Sequence, residues 1–316
     1  DNEFYLISAT TDISGAVATK EGTFEICMNA FESVPITSIQ LNMTDDMYWI
    51  DDYAFYETKL EGELTLPEGL EKIDGGAFQF CKGFYGELHL PNSLKGIGVV
   101  AFGSCAGLTG SLTIPQGITI INNSTFQFCG FNGNLNLPDG VTDIDGSAFY
   151  GCKFRGELVL PKNLKSIGSS AFRECGFSGT LHLPSTLLSI GESAFYQNNQ
   201  LTGTLEIPEK ITSIKSSTFD GCSQIEGLVL PANLETIQPS AFRDCFHIGS
   251  IVCKGAYPAY VKSGAFDGVP KDNFTVEVPE SAVAQYQTAV GWNEFKRIAA
   301  HHELVCRPSI ACALAT

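Results

Sequence analysis

Hydrophobic and polar positions along this chain recur with a fixed period. Phenylalanine stands at Phe31, Phe55, Phe78, Phe102, Phe126, Phe149, Phe172, Phe195, Phe219, Phe242 and Phe266, every interval being 23 or 24 residues. A second column, Pro67, Pro91, Pro115, Pro138, Pro161, Pro184, Pro208 and Pro231, keeps that spacing and directly follows Leu-x-Leu or Leu-x-Ile each time. Two independent columns with one period mark a repeat architecture, in which each unit is a single supersecondary element.

Aligned on these columns, the unit reads G-x-L-x-[LI]-P-x-x-[LIV]-x-x-I-x-x-x-[AT]-F-x-x-C, as in GELVLPKNLKSIGSSAFREC from Gly156 to Cys175. The alternation Leu158, Val159, Leu160 predicts a strand with one buried face. Pro161 ends it, because proline has no N–H for the next ladder bond. Leu164 and Ile167, three apart, predict a tight second segment turning back to the core. Ala171 and Phe172 supply a small and a large filler. The glycines Gly62, Gly86, Gly110, Gly133, Gly156, Gly179 and Gly203 mark a bend before the strand. One such unit cannot bury both faces of its strand, whereas stacked units place each Leu, Ile and Phe on its counterpart. The expected fold is therefore a β-rich solenoid of about ten turns, roughly 50 Å long at a strand spacing of about 4.8 Å.

The period fails at both ends, where a solenoid needs caps over its exposed strand edges. Residues 1–24 read as an N-terminal cap and 25–270 as the solenoid. Residues 271–300 read as a closing cap: a strand to Val278, then a short amphipathic helix carrying Val283, Tyr286 and Val290 before Trp292 and Phe295. Residues 301–316 follow no usable pattern.

Composition adds limits. With 35 acidic and 19 basic residues the chain carries a formal charge of −16, which repels phosphate backbones and argues against nucleic acid as a partner. No apolar run approaches the roughly 20 residues of a transmembrane helix. The chain opens on Asp1 without methionine, as an exported chain does after loss of its leader. Of the 11 cysteines, Cys81, Cys105, Cys129, Cys152, Cys175, Cys222 and Cys245 each lie three residues after a repeat phenylalanine, and Asn198 holds that place in one unit. Stacked side chains point in parallel, so the expectation is buried free thiols and no disulfide or zinc column. Cys306 and Cys312 are close enough to bridge.

The unit LxLPxxLxxIGxxAFxxC resembles the BspA-like leucine-rich repeats of bacterial surface proteins, and VPESAVAQYQTAVGWNEF resembles their C-terminal segment. The resemblance spans about residues 25–298. It implies a β-rich α/β fold, a right-handed superhelix with a parallel sheet on its concave face. It further implies an exported, cell-surface or outer-membrane-associated chain of a Bacteroidetes-type anaerobe. That family is associated with adhesion to host matrix proteins and with coaggregation, and it brings no catalytic residues.

Candidate chemistry is sparse. If the concave sheet binds, its outward residues are Glu63, Glu87, Ser111, Asn134, Glu157, Thr180 and Thr204 in one column, and Thr65, His89, Thr113, Asn136, Val159, His182 and Glu206 in the next. Phe80, Tyr85, Phe128, Tyr150 and Tyr196 on the turns offer a second edge. His89 and His182 lie four turns apart, about 19 Å, too far to share a substrate atom. No nucleophile elbow, zinc-protease or P-loop pattern occurs. Asp45, Asp46, Asp51, Asp52, Asp143 and Asp145 could hold Ca²⁺, but without EF-hand spacing a solvated acidic face is the better reading. The expectation is a monomeric, non-enzymatic module without cofactor or metal that binds an extracellular protein or glycan. The alternative is a structural spacer or self-assembling surface protein.

Overall fold

The computed structural model describes residues 4–6, 13–20, 22–41 and 48–301. They form a parallel-strand β-solenoid of about 12 turns, two more than expected, because the terminal turns lack the Pro and Cys marks. Among the described residues the only helix is a 3₁₀ turn, Glu280–Ala282, running into the α-helix Val283–Thr288.

The strands are very short, and their main ladder is not where Leu158–Leu160 suggested. The longest run of pairing follows the L-x-x-I segment. Five strands from Phe4–Leu6 to Gly96–Ile97 pair in parallel, then Ile120–Ile121, Asp143–Ile144, Ser166–Ile167 and Ser189–Ile190, then Ser213–Ile214, Thr236–Ile237 and Tyr260–Val261. Each isoleucine lies on the next, Ile144 on Ile167 and Ile167 on Ile190. Residues 158–160 and 181–183 form no strand. On the L-x-L segment pairing is confined to Leu112–Thr113 with Leu135–Asn136, a Thr65 to His89 bridge, and a sheet from Thr204–Glu206 to Ile298–Ala300. The unit explains part of the difference. Most triplets are boxed between a left-handed glycine, such as Gly156 at φ 77°, and a proline with no N–H; the triplets after Gly133 and Gly227, which are not left-handed, both pair, and the L-x-x-I segment has neither mark.

The phenylalanines form one unbroken stack from Phe31 to Phe266, with successive centroids 5.1–5.7 Å apart and planes within 16°. A second stack, Phe131, Phe154 and Phe177, meets the first edge to face at about 6 Å, a favoured ring geometry. At the far end Trp292 and Phe295 close over Phe266. The Trp292 indole donates to the Ala259 carbonyl at 2.9 Å, and Tyr286 donates to the Gly255 carbonyl at 3.2 Å. Val290, expected on the helix, lies beyond its end and is 72% exposed.

All nine cysteines among the described residues are free. Each column thiol donates to the carbonyl of a repeat phenylalanine one turn back, Cys152 to Phe126 at 3.1 Å and Cys175 to Phe149 at 3.2 Å. That same carbonyl accepts an amide from its own turn, as Phe149 does from Cys152 at 3.1 Å, so both lone pairs are used. Burial pushes the Cys152 and Cys222 thiols up to about 12, which suppresses thiolate and makes these groups inert fillers. In the Asn198 unit the amide donates to the Phe172 and Phe195 carbonyls.

Two residues before each repeat phenylalanine the backbone turns left-handed in every unit: Asn29, Tyr53, Gly76, Val100, Ser124, Ser147, Ser170, Ser193, Ser217, Ser240 and Gly264. This lets alternate amides reach the next turn, Ser147 to Ser169, Phe149 to Ala171 and Gly151 to Arg173, while those between close locally. Val100, at φ 55°, is the branched residue for which this region costs most. Val100→Asn should therefore gain about 1 kcal/mol, read as a higher urea midpoint; an unchanged or lower midpoint would contradict the strain.

Candidate functional site

The L-x-L triplets build the candidate surface. Their flanking leucines point inward, Leu64, Leu88, Leu112, Leu135, Leu158, Leu181 and Leu205 all being buried, which turns the preceding and central residues outward. Twelve of the fourteen residues singled out from sequence are exposed, among them Val159 at 68%, while Ser111 and Thr180 are half-buried.

The surface is grooved. Glu63, Thr65, Gly86, Glu87 and His89 line a groove of about 400 Å³. It shares Glu87 and His89 with a second, of about 190 Å³, that continues over Asn92, Ser111 and Thr113 to Pro115. A separate groove of about 410 Å³ holds His182, Ser185, Thr204, Glu206 and Glu209. Asn134, Asn136, Glu157, Val159 and Thr180 occupy the stretch between and line none of these three. His89 and His182 hold equivalent places in different grooves and are not brought together.

Polar contacts tie neighbouring turns: the Asn136 amide donates to Thr113 Oγ1 at 3.0 Å, and the Asn134 N–H to Ser111 Oγ at 3.1 Å. Lys254 Nζ reaches across two turns to Glu206 at 2.9 Å and Glu209 at 3.1 Å, offsetting one of the two negative charges there. Glu63, Glu87 and Glu157 have no ion-pair partner among the described residues. A further cavity, of about 640 Å³, lies off this face between Ser33, Glu57, Lys59, Glu61, Phe80 and Lys82. Sequence reasoning missed it, because it arises where the atypical first turns meet.

The described acidic positions Asp51, Asp52 and Asp143 are engaged within the repeat. Asp51 Oδ1 accepts the Asp52 N–H at 2.8 Å, and Asp52 Oδ1 accepts the Gly75 N–H at 2.6 Å, so these carboxylates brace turns. The Ser166 hydroxyl, with Thr142, holds the Asp143 carboxyl below its usual range. No group of three or more His, Cys, Asp or Glu among the described residues is arranged to hold a metal ion. Asp45, Asp46, Cys306 and Cys312 lie outside the described residues. Among those described, no helix is long and apolar enough to cross a membrane.

The family model for the BspA type leucine rich repeat region matches residues 24–155 and 156–271. Two solved structures share the fold. One is a leucine-rich cell surface protein of Faecalibacterium prausnitzii, 18% identical, with 92% of this chain and 88% of that one covered at a TM-score of 0.50. The other is the pneumococcal vaccine antigen PcpA, also 18% identical, with 92% and 79% covered at 0.52. A comparison with curated proteins found no match.

Proposed function

As the chain belongs to the BspA-type leucine-rich repeat family, we propose that it is a non-catalytic surface protein that binds an extracellular protein or glycan through the L-x-L face. The observation that carries this reading is the run of outward residues along the L-x-L face, grooved at both ends. Contacts distributed over many turns of a rigid solenoid suit recognition of a macromolecule. One of the two structural relatives is a cell surface protein, which supports export of this chain.

The test is a screen of the purified chain against immobilised matrix proteins and a glycan array, alongside the variant Glu87→Lys, Asn134→Lys, Glu157→Lys, Thr180→Lys. Binding by the native chain that falls at least about tenfold in the variant is the expected result, since like-charge juxtaposition at an interface costs several kcal/mol. Binding that survives the four changes places the ligand on another face. Absence of any binding supports the spacer alternative.

A further inference from the structure

One surface feature lies outside the L-x-L face and is not required by the core. At the two positions after the repeat phenylalanine, four successive turns contribute a continuous stack. The Phe128 ring lies 4.7 Å from that of Tyr150, and the Arg173 guanidinium sits between Tyr150 at 5.1 Å and Tyr196 at 4.4 Å. Phe128 is 45% exposed, and the left-handed backbone it occupies, φ 57°, recurs at the same place in every turn, as at Ser104 and Gly151. Ser104 and Gly151 fill the same place in the flanking turns, so the fold does not need an aromatic there.

The guanidinium is fixed before any ligand arrives, because two rings hold its plane and Glu174 takes its Nε–H at 3.1 Å. Its Nη groups have no protein acceptor among the described residues. Lys153, which donates to the Glu174 carbonyl at 3.4 Å, brings a second cation to the patch. Two cations against one carboxylate form a locally positive site on a chain of net charge −16. A rigid fork of unused donors suits a carboxylate, and the exposed Phe128 ring, with the half-buried Tyr150 beside it, suits an apolar face of matching size.

We propose that Phe128, Tyr150, Arg173 and Tyr196 form a binding platform for a carboxylate-bearing sugar of an acidic polysaccharide. The pyranose C–H face rests on the Phe128 and Tyr150 rings while its carboxylate meets the free Nη donors of Arg173, with Lys153 adding long-range attraction. This platform uses other columns than the L-x-L face, and either can stand without the other.

Titration calorimetry of the whole chain with oligomers of galacturonic acid, and with the same oligomers methyl-esterified, tests it. The free acid should bind at least about tenfold more tightly than the ester, the difference a charge-assisted hydrogen bond supplies. Arg173→Gln should abolish that preference, and Phe128→Ser, copying Ser104, should weaken both ligands with the melting temperature unchanged. Equal binding of acid and ester, no binding of either, or full acid binding by Arg173→Gln would overturn the proposal. The ester comparison uses native protein, so it stands even if a variant fails to fold.

Discussion

Phe172→Ala should cost about 3–5 kcal/mol of unfolding free energy, the range for emptying a buried aromatic site. Phe172 is fully buried, stacked on Phe149 and Phe195 at 5.5 Å and met edge-on by Phe177 at 5.9 Å. The site cannot collapse, because the spacing of its neighbours is fixed by backbone bonds between turns, Phe149 N–H to Ala171 and Phe172 N–H to Ala194, each 2.9 Å. Nearest-neighbour coupling in a solenoid makes a mid-stack lesion the most disruptive, since it weakens two interfaces. Urea unfolding followed by circular dichroism reads the change, and a loss under half a kcal/mol would mean that the phenylalanine column does not hold the turns together.

The second large effect comes from a charge. Asp220 is fully buried, and its Oδ1 accepts Arg243 Nε at 3.1 Å, while Arg243 Nη2 lies 2.7 Å from Oδ2, close enough for charge pairing but out of line for a hydrogen bond. Arg243→Ala strands that carboxylate. Because the guanidinium is 43% exposed, the expected loss at neutral pH is about 2–3 kcal/mol, below that of a fully buried pair. Burial, opposed by Arg243, already raises the Asp220 pKa above its ordinary value of 3.8. A carboxyl raised on folding binds more protons in the native state, so its contribution falls as pH rises from 3.8 through the folded value. Removing Arg243 widens that window upward. The variant should therefore regain part of its deficit on acidification relative to the native chain, and a deficit independent of pH would show that Asp220 is not the group responsible.

Both effects trace back to columns, and the columns differ in how plainly the sequence displays them. Phe172, Ala171, Leu164, Ile167 and Cys175 were readable because each stands in a column that keeps one residue or a close substitute through most turns, and stacking imposes that uniformity. The Asp220 to Arg243 pair was not, since it joins unlike residues at one position of adjacent turns and occurs once. The left-handed column at Val100, Ser147 and Ser170 was also hidden, as serine carries no strong mark of that conformation, unlike the glycines before the L-x-L triplet. Placing the principal ladder on L-x-L followed from alternation alone. Alternation reports which side is buried, correct for Leu158 and Val159, but does not report whether the backbone finds a partner between a glycine and a proline. The outward positions were legible for the same reason as the inward ones, being their complement.

If the Glu87, Asn134, Glu157 and Thr180 side chains of the L-x-L face are free for a ligand and do not hold the turns together, the urea unfolding curve of the Glu87→Lys, Asn134→Lys, Glu157→Lys, Thr180→Lys variant shows it most directly. Glu87, Asn134 and Glu157 are exposed and Thr180 is half-buried; changes at exposed positions usually stay within about 0.5 kcal/mol each, and exchanging acids for lysines on a chain of net charge −16 relieves repulsion. The midpoint should stay close to that of the native chain. A drop comparable to that of Phe172→Ala would contradict it, by showing that these side chains hold the solenoid together.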